Sequence, residues 1–197
     1  MSSFLETIKI LDAKIYNLSY HQKRYESVLR SFGIESFKNL EDYIVDIPQN
    51  FLYRCRVVYD LEHNISVTYH SYKKRDIKSL KIVYADQLEY NKKYLDRTIL
   101  NRMYEKRERC DDVLIVKNSF LTDTTIANIA LLKDGIWYTP IKSLLEGTTK
   151  RRLLDEGKIV QKDILISDIY TYERVALLNA MIDFDIISQK NIRRIFC

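Results

Sequence analysis

Apolar residues recur at helical spacing in one long stretch near the N-terminus, at Tyr25, Val28, Leu29 and Phe32. Most of the remaining apolar runs are short and β-like. Residues 4–11 (FLETIKIL) lean towards β, Asp12-Ala13 can turn the chain, and 14–18 (KIYNL) can pair back as a hairpin. Ser19 with Gln22 reads as a capping box for a helix running to about Phe32, and Gly33 suits the C′ position. A short helix is expected over 38–45, with Pro48 barring its extension. Residues 51–59 (FLYRCRVVY) alternate as a strand, so Arg54 and Arg56 share one face and Tyr53, Cys55 and Val57 the other. Strands follow at 65–72 and 80–84, and a helix at 98–109 with Ile99, Leu100, Met103 and Tyr104 on its apolar side.

The stretch 111–149 organises the second half. It holds a strand at 113–117, a Thr-Asp-Thr-Thr segment, and a strand at 126–132. Asp134-Gly135, a strong hairpin signal, joins that strand to 136–138. It closes on Gly147-Thr148-Thr149 ahead of a helix at 150–156 that Gly157 stops. Beyond it come strands at 158–164 and 174–181 and a short helix at 167–172. The order predicts an α+β protein with largely antiparallel sheets and flanking helices, in two modules of 1–86 and 87–197.

Composition narrows the chemistry. With 197 residues, 46% of them hydrophobic, a sizeable core is possible. Only 4 Gly and 2 Pro leave little room for Gly-rich nucleotide loops or flexible linkers. The net charge of +5 permits an anionic ligand and demands none. The 15 Tyr would suit base stacking, but the basic residues form no single stripe and no nucleic-acid motif occurs, so nucleic acid is not the expected partner. Cys55, Cys110 and Cys197 lie far apart, as do His21, His63 and His70, so free thiols in a reducing compartment are expected and no metal site. Neither a signal peptide nor a bilayer-spanning run is read, and the expected location is cytoplasmic.

The candidate residues each have a bland reading. Gly147-Thr148-Thr149 offers a helix N-terminus and two hydroxyls to a phosphate, yet Thr there is commonly a cap. Asp123 reads as a turn former, or as a carboxylate that holds a proton on a heterocyclic nitrogen. Lys92 and Lys93 read as surface lysines unless burial or a nearby cation such as Arg97 lowers a pKa. His21 and Arg24 read most simply as solvated. Arg54 and Arg56 form a solvated edge or point into an anion site.

Taken in order, these residues resemble the fold-type IV pyridoxal-phosphate enzymes, which include class IV aminotransferases acting on branched-chain or D-amino acids and aminodeoxychorismate lyase. The likeness covers most of the chain. Lys93-Tyr94-Leu95-Asp96-Arg97 resembles the family's Lys-x-Leu-Asn-Arg, and Thr122-Asp123 followed by Ala127-Asn128-Ile129 its Thr-Glu and Ser-Asn segments. Thr139-Pro140, Gly147-Thr148-Thr149-Lys150, His21-Gln22-Lys23-Arg24 and Asn179-Ala180-Met181 resemble the Thr-Pro, Gly-x-Thr-Arg, His-x-x-Arg and C-terminal segments. The resemblance implies a D-amino-acid-aminotransferase-like two-domain fold and pyridoxal 5'-phosphate as cofactor. It implies that Lys93 bonds to the cofactor aldehyde, with Lys92 as its rival, and that Asp123 meets the ring nitrogen in place of a longer acid, supported by Asn128. Arg24, Thr148 and Thr149 would hold the phosphate, and Arg54 and Arg56 the substrate's carboxylates. It further implies a homodimer acting on a small amino substrate. The chain is short for the family. That favours a lyase of folate biosynthesis, releasing 4-aminobenzoate and pyruvate, with an aminotransferase as the alternative.

Overall fold

Strand β1 (Phe4–Leu11) sets the first unit. Its even-numbered side chains, Phe4, Glu6, Ile8 and Ile10, are all fully buried, while Thr7 and Lys9 between them are part-exposed. Asp12 and Ala13 both take positive φ and return the chain into β2 (Lys14–Ile15), the backbone of a tight hairpin. Helix α1 (Leu18–Arg30) starts one residue before the expected Ser19 cap. Asn17 stands at its N-cap in the left-handed region with no side-chain bond, and Gln22 is drawn away to hold Lys38 and Leu40. Gly33 takes the expected positive φ after the helix.

The short helix expected at 38–45 is a 3-10 turn, Leu40–Tyr43, capped by Asn39. Strands β3 (Leu52–Tyr59) and β4 (Ile65–Ser71) complete an antiparallel sheet in the order β2-β1-β3-β4. Its inward row, Phe4, Ile8, Ile10, Cys55, Val57 and Tyr59, packs with Tyr25, Val28 and Leu29 of α1. Residues 3–187 and 192–196 are described in this computed structural model.

By its internal contacts the chain divides into 1–74 with 92–96, and 75–91 with 97–197, where the sequence had suggested a cut between 86 and 87. Residues 92–96 join the first unit through β1: Leu5 N–H donates to Lys93 O at 2.9 Å, Leu95 N–H donates to Ser3 O at 2.9 Å, and Phe4 bridges Tyr94.

The second unit contains β5 (Leu80–Tyr84), α2 (Thr98–Glu105), β6 (Asp112–Lys117), β7 (Phe120–Thr124), β8 (Asn128–Lys133) and β9 (Ile136–Pro140). After them come α3 (Thr148–Asp155), β10 (Val160–Lys162), β11 (Arg174–Asn179) and β12 (Asp183–Ile186). Six strands run β10-β9-β8-β7-β6-β5; β11 pairs β8, and β12 pairs β11. The pairings are antiparallel except β5 with β6 and β9 with β10. Strand β6 is buried on both faces, Leu114 and Val116 towards one core and Val113 and Ile115 towards another, which accounts for its unbroken apolar run. Leu153 of α3 packs with Ala130, Ala176 and Leu178 on β8 and β11.

Strand β7 was not expected from sequence. The turn into it is Asn118-Ser119, both at positive φ. Of the cysteines, Cys55 is a free, buried thiol, and Cys110 is disulfide-bonded, contrary to expectation. Among the described residues no helix is long and apolar enough to cross a membrane, and no group of His, Cys, Asp or Glu could hold a metal ion.

Candidate active site

A β-bulge aims Asp123. Leu121 pairs with Val116 and Thr124 with Leu114, so β7 spends three residues where β6 spends two. The extra residue reverses the alternation, and Asp123 leaves the face on which Leu121 meets the apolar core. It pairs instead with Asn128 at the start of β8, the one register pair joining these strands. Beyond Asn128, β8 changes partner to β9.

The connection from β9 to α3 reaches back to this point. Asn128 Nδ2 donates to Asp123 Oδ1 at 2.8 Å and to Leu145 O at 2.9 Å, and Leu145 N–H donates to Asp123 Oδ2 at 2.9 Å. Asp123 is 4% exposed. Burial pushes its carboxyl up to about 6, against the lowering effect of Asn128 and the Leu145 N–H. Among the described residues no cation contacts it.

Gly147 caps α3, and Thr148 and Thr149, both buried, form its first turn. The first helical bond is Arg151 N–H to Gly147 O, so the N–H groups ahead of it are not used within the helix. Lys150, 0% exposed, turns Nζ onto Pro140 O at 2.8 Å and onto Ser143 Oγ, and so ties the β9–α3 connection to the helix. Burial lowers its pKa, opposed by Glu146 and Asp123. A Cβ added at Gly147 would lie 1.8 Å from Asn128 Oδ1 and 3.0 Å from its Cγ. We expect Gly147→Ala to force Asn128 off Asp123 and to lower stability by about 2 kcal/mol, a Tm fall of about 4–8 °C. A Tm within a degree of the parent in a thermal melt would refute this packing.

In the first unit, Arg24 and His21 are not solvated, contrary to the simplest sequence reading. His21 is 1% exposed and Arg24 is 13% exposed. Both engage Glu6: Arg24 Nε donates to Oε1 at 2.8 Å, Arg24 Nη2 donates to Oε2 at 2.6 Å, and His21 Nδ1 lies 2.6 Å from Oε2. Burial alone would raise the Glu6 pKa. The Arg24 charge and the bonds from His21 and Arg24 outweigh it and hold the carboxyl at about 2. Burial lowers the His21 pKa despite Glu6, and the charges of Arg24 and Lys93 push the same way. A neutral His21 beside an ionised Glu6 must donate through Nδ1–H.

Lys93 therefore stands close enough to this cluster to act on it, whereas Lys92 Nζ lies over the Phe32 ring, 5.2 Å from its centroid. Arg97 belongs to the second unit, where Nη2 donates to Thr125 O at 2.8 Å. Arg54 and Arg56 lie on the sheet face away from α1, opposite Lys9 and Thr7 on β1 and His70 and Thr68 on β4. The buried Nε of Arg54 has no hydrogen-bond partner.

Sequence reasoning did not single out Glu6. Its signal was there: an acid in phase with Phe4, Ile8 and Ile10.

These residues suit pyridoxal phosphate on their own chemistry. Asp123 is a buried carboxylate without a cation in contact, and a protonated ring nitrogen would supply one. The first turn of α3 adds two hydroxyls to its N–H groups, a donor set for a phosphate.

Comparison with known proteins gives the same family. The family model for amino-transferase class IV matches residues 3–189. An uncharacterized protein of Haemophilus influenzae is 36% identical over 186 residues, spanning 92% of this chain and 98% of that one. A Haemophilus somnus crystal structure, of a protein named as a putative 4-amino-4-deoxychorismate lyase, superposes with TM-score 0.85 at 33% identity, covering 92% of this chain and 97% of that one. A Brucella abortus aminotransferase bound to pyridoxal phosphate superposes with TM-score 0.74 at 14% identity, covering 96% and 82%. The chain belongs to the amino-transferase class IV family of fold-type IV, pyridoxal-phosphate-dependent enzymes.

Proposed function

We propose that this protein is an aminodeoxychorismate lyase, releasing 4-aminobenzoate and pyruvate. The observation that carries the cofactor site is the buried carboxylate of Asp123, held by Asn128 and Leu145 just ahead of the α3 N-terminus. The choice of lyase rests on the likeness to the Haemophilus somnus protein along nearly its whole length.

When bound, pyridoxal phosphate supplies a ring that accepts the electron pair left at the substrate Cα. The chain's own residues do the rest. Lys93 would hold the cofactor through Nζ, and the same amine would move the proton at the substrate Cα. Asp123 holds a proton on the ring nitrogen, and Asn128 fixes the carboxylate. Thr148, Thr149 and Arg24 bind phosphate. Arg54 and Arg56 bind the carboxylates of the substrate, to which a planar guanidinium is matched in shape and charge. A homodimer in the cytoplasm belongs to the same reading.

The deciding assay supplies aminodeoxychorismate and cofactor with no 2-oxo acid. Formation of 4-aminobenzoate and pyruvate supports the lyase. Turnover that starts only when a 2-oxo acid is added, with the cofactor left in its amine form between half-reactions, makes the protein an aminotransferase instead.

A further inference from the structure

Glu6 is an unusual occupant of a core row. It sits in the inward row of β1 between Phe4 and Ile8, 0% exposed, where an apolar side chain would pack without desolvating a charge. A buried ion pair gives little net stability relative to well-packed apolar residues. A carboxylate in that row is therefore better explained by what it holds than by what it contributes to the core.

It holds the two polar side chains that α1 turns inward. Residues three apart on a helix share a face, so His21 and Arg24 reach the same carboxylate. Arg24 meets it with Nε and Nη2 together, the two-point fit that fixes the plane of a guanidinium. His21 steadies the second oxygen through Nδ1–H. The same strand carries Lys93, since Leu5 N–H donates to Lys93 O and Phe4 bridges Tyr94. One strand thus fixes the orientation of Arg24 and the backbone of Lys93.

We infer that Glu6 is a positioning residue, which orients the Arg24 guanidinium for the phosphate of the cofactor. The inference rests on the proposed use of pyridoxal phosphate, and the test separates the two. Absorbance titrations of the purified apoprotein with pyridoxal 5'-phosphate and with pyridoxal, which lacks the phosphate, give a ratio of affinities. In Glu6→Gln the charge is lost and one acceptor oxygen becomes an NH2 donor, so the two-point grip on Arg24 is broken. Its ratio should fall about tenfold, the loss expected for a charge-assisted contact, through weaker binding of the phosphorylated compound with pyridoxal unchanged. Arg24→Ala should lose the same preference, and the double variant should be no worse than Arg24→Ala alone. Equal weakening of both compounds, or an unchanged ratio, would make Glu6 a structural residue and overturn the inference. If Glu6→Gln does not fold, Glu6→Asp keeps the charge one methylene further back and is judged by the same ratio. Failure of the parent protein to bind pyridoxal 5'-phosphate would refute the proposed function, and the positioning role with it.

Discussion

Lys93→Ala is expected to abolish both the cofactor absorbance band near the visible and turnover, while leaving the fold intact. Positioned proton transfer alone contributes about 10²–10⁴-fold, and Lys93 is assigned covalent attachment as well, so a loss of at least about 10³-fold is expected. The placement of the residue explains why the effect should be specific. Its backbone is clamped by Leu5, independent of the side chain, so alanine keeps the segment paired with β1. Lys92→Ala is the control, because Lys92 Nζ rests over Phe32 and its loss removes only a cation–π contact. Spectra of both variants with added cofactor decide the matter. A surviving band with retained activity in Lys93→Ala would remove Lys93 from the chemistry. Loss of the band in Lys92→Ala instead would transfer its place to the neighbour.

The parts of the site legible in sequence were those written in short local patterns. Gly147 announces the start of α3, and Asp134-Gly135 its hairpin, because each marks a backbone geometry that few residues permit. Alternation put Arg54 and Arg56 on one face and Cys55 and Val57 on the other, as found. The β7 strand escaped because its outer half, Thr-Asp-Thr, is polar, and polar residues in a run usually mean a turn. In the fold those residues are buried and satisfied by groups that strand pairing brings to them: Thr122 Oγ1 donates to Ile115 O on β6, and Asp123 accepts from Leu145 in the connection to α3. Burial of that kind is decided by tertiary pairing and leaves no periodicity to read. The bulge that aims Asp123 is equally silent, since it depends on register against β6. His21 and Arg24 were misjudged for a related reason. A helix face looks solvated until a partner acid appears, and Glu6 lies on another element, 15 and 18 residues away.

Asp123→Asn is expected to lower kcat by about 10²–10³-fold, the range seen when one preorganised polar group is removed from a reacting centre. Cofactor binding should largely survive, because the phosphate contacts are untouched. The structure adds a second signature that needs no turnover. In the cofactor-free protein the Asp123 carboxyl is raised from 3.8 to about 6. The folded state then binds a proton that the unfolded state has lost, so this group's contribution to stability is fully present below about pH 4 and lost as pH rises through 6. A two-unit shift corresponds to about 3 kcal/mol. Glu6 works in the opposite sense and in a lower window: with its carboxyl held at about 2, its contribution is present above 4.5 and lost as pH falls through 2. Thermal melts of apoprotein between pH 4 and 7 also carry His21, whose lowered pKa works in the opposite sense, and Asp112, raised by burial like Asp123, so the Asp123 share is read as the difference between the parent and Asp123→Asn. Relative to Asp123→Asn, the parent should lose stability across that interval. Added pyridoxal 5'-phosphate should shrink that difference, since a protonated ring nitrogen would give the buried carboxylate a cationic partner. If the cofactor raises Tm by the same amount at every pH in that range, Asp123 does not meet the ring, and the carboxylate serves only to hold Asn128 and Leu145 in place.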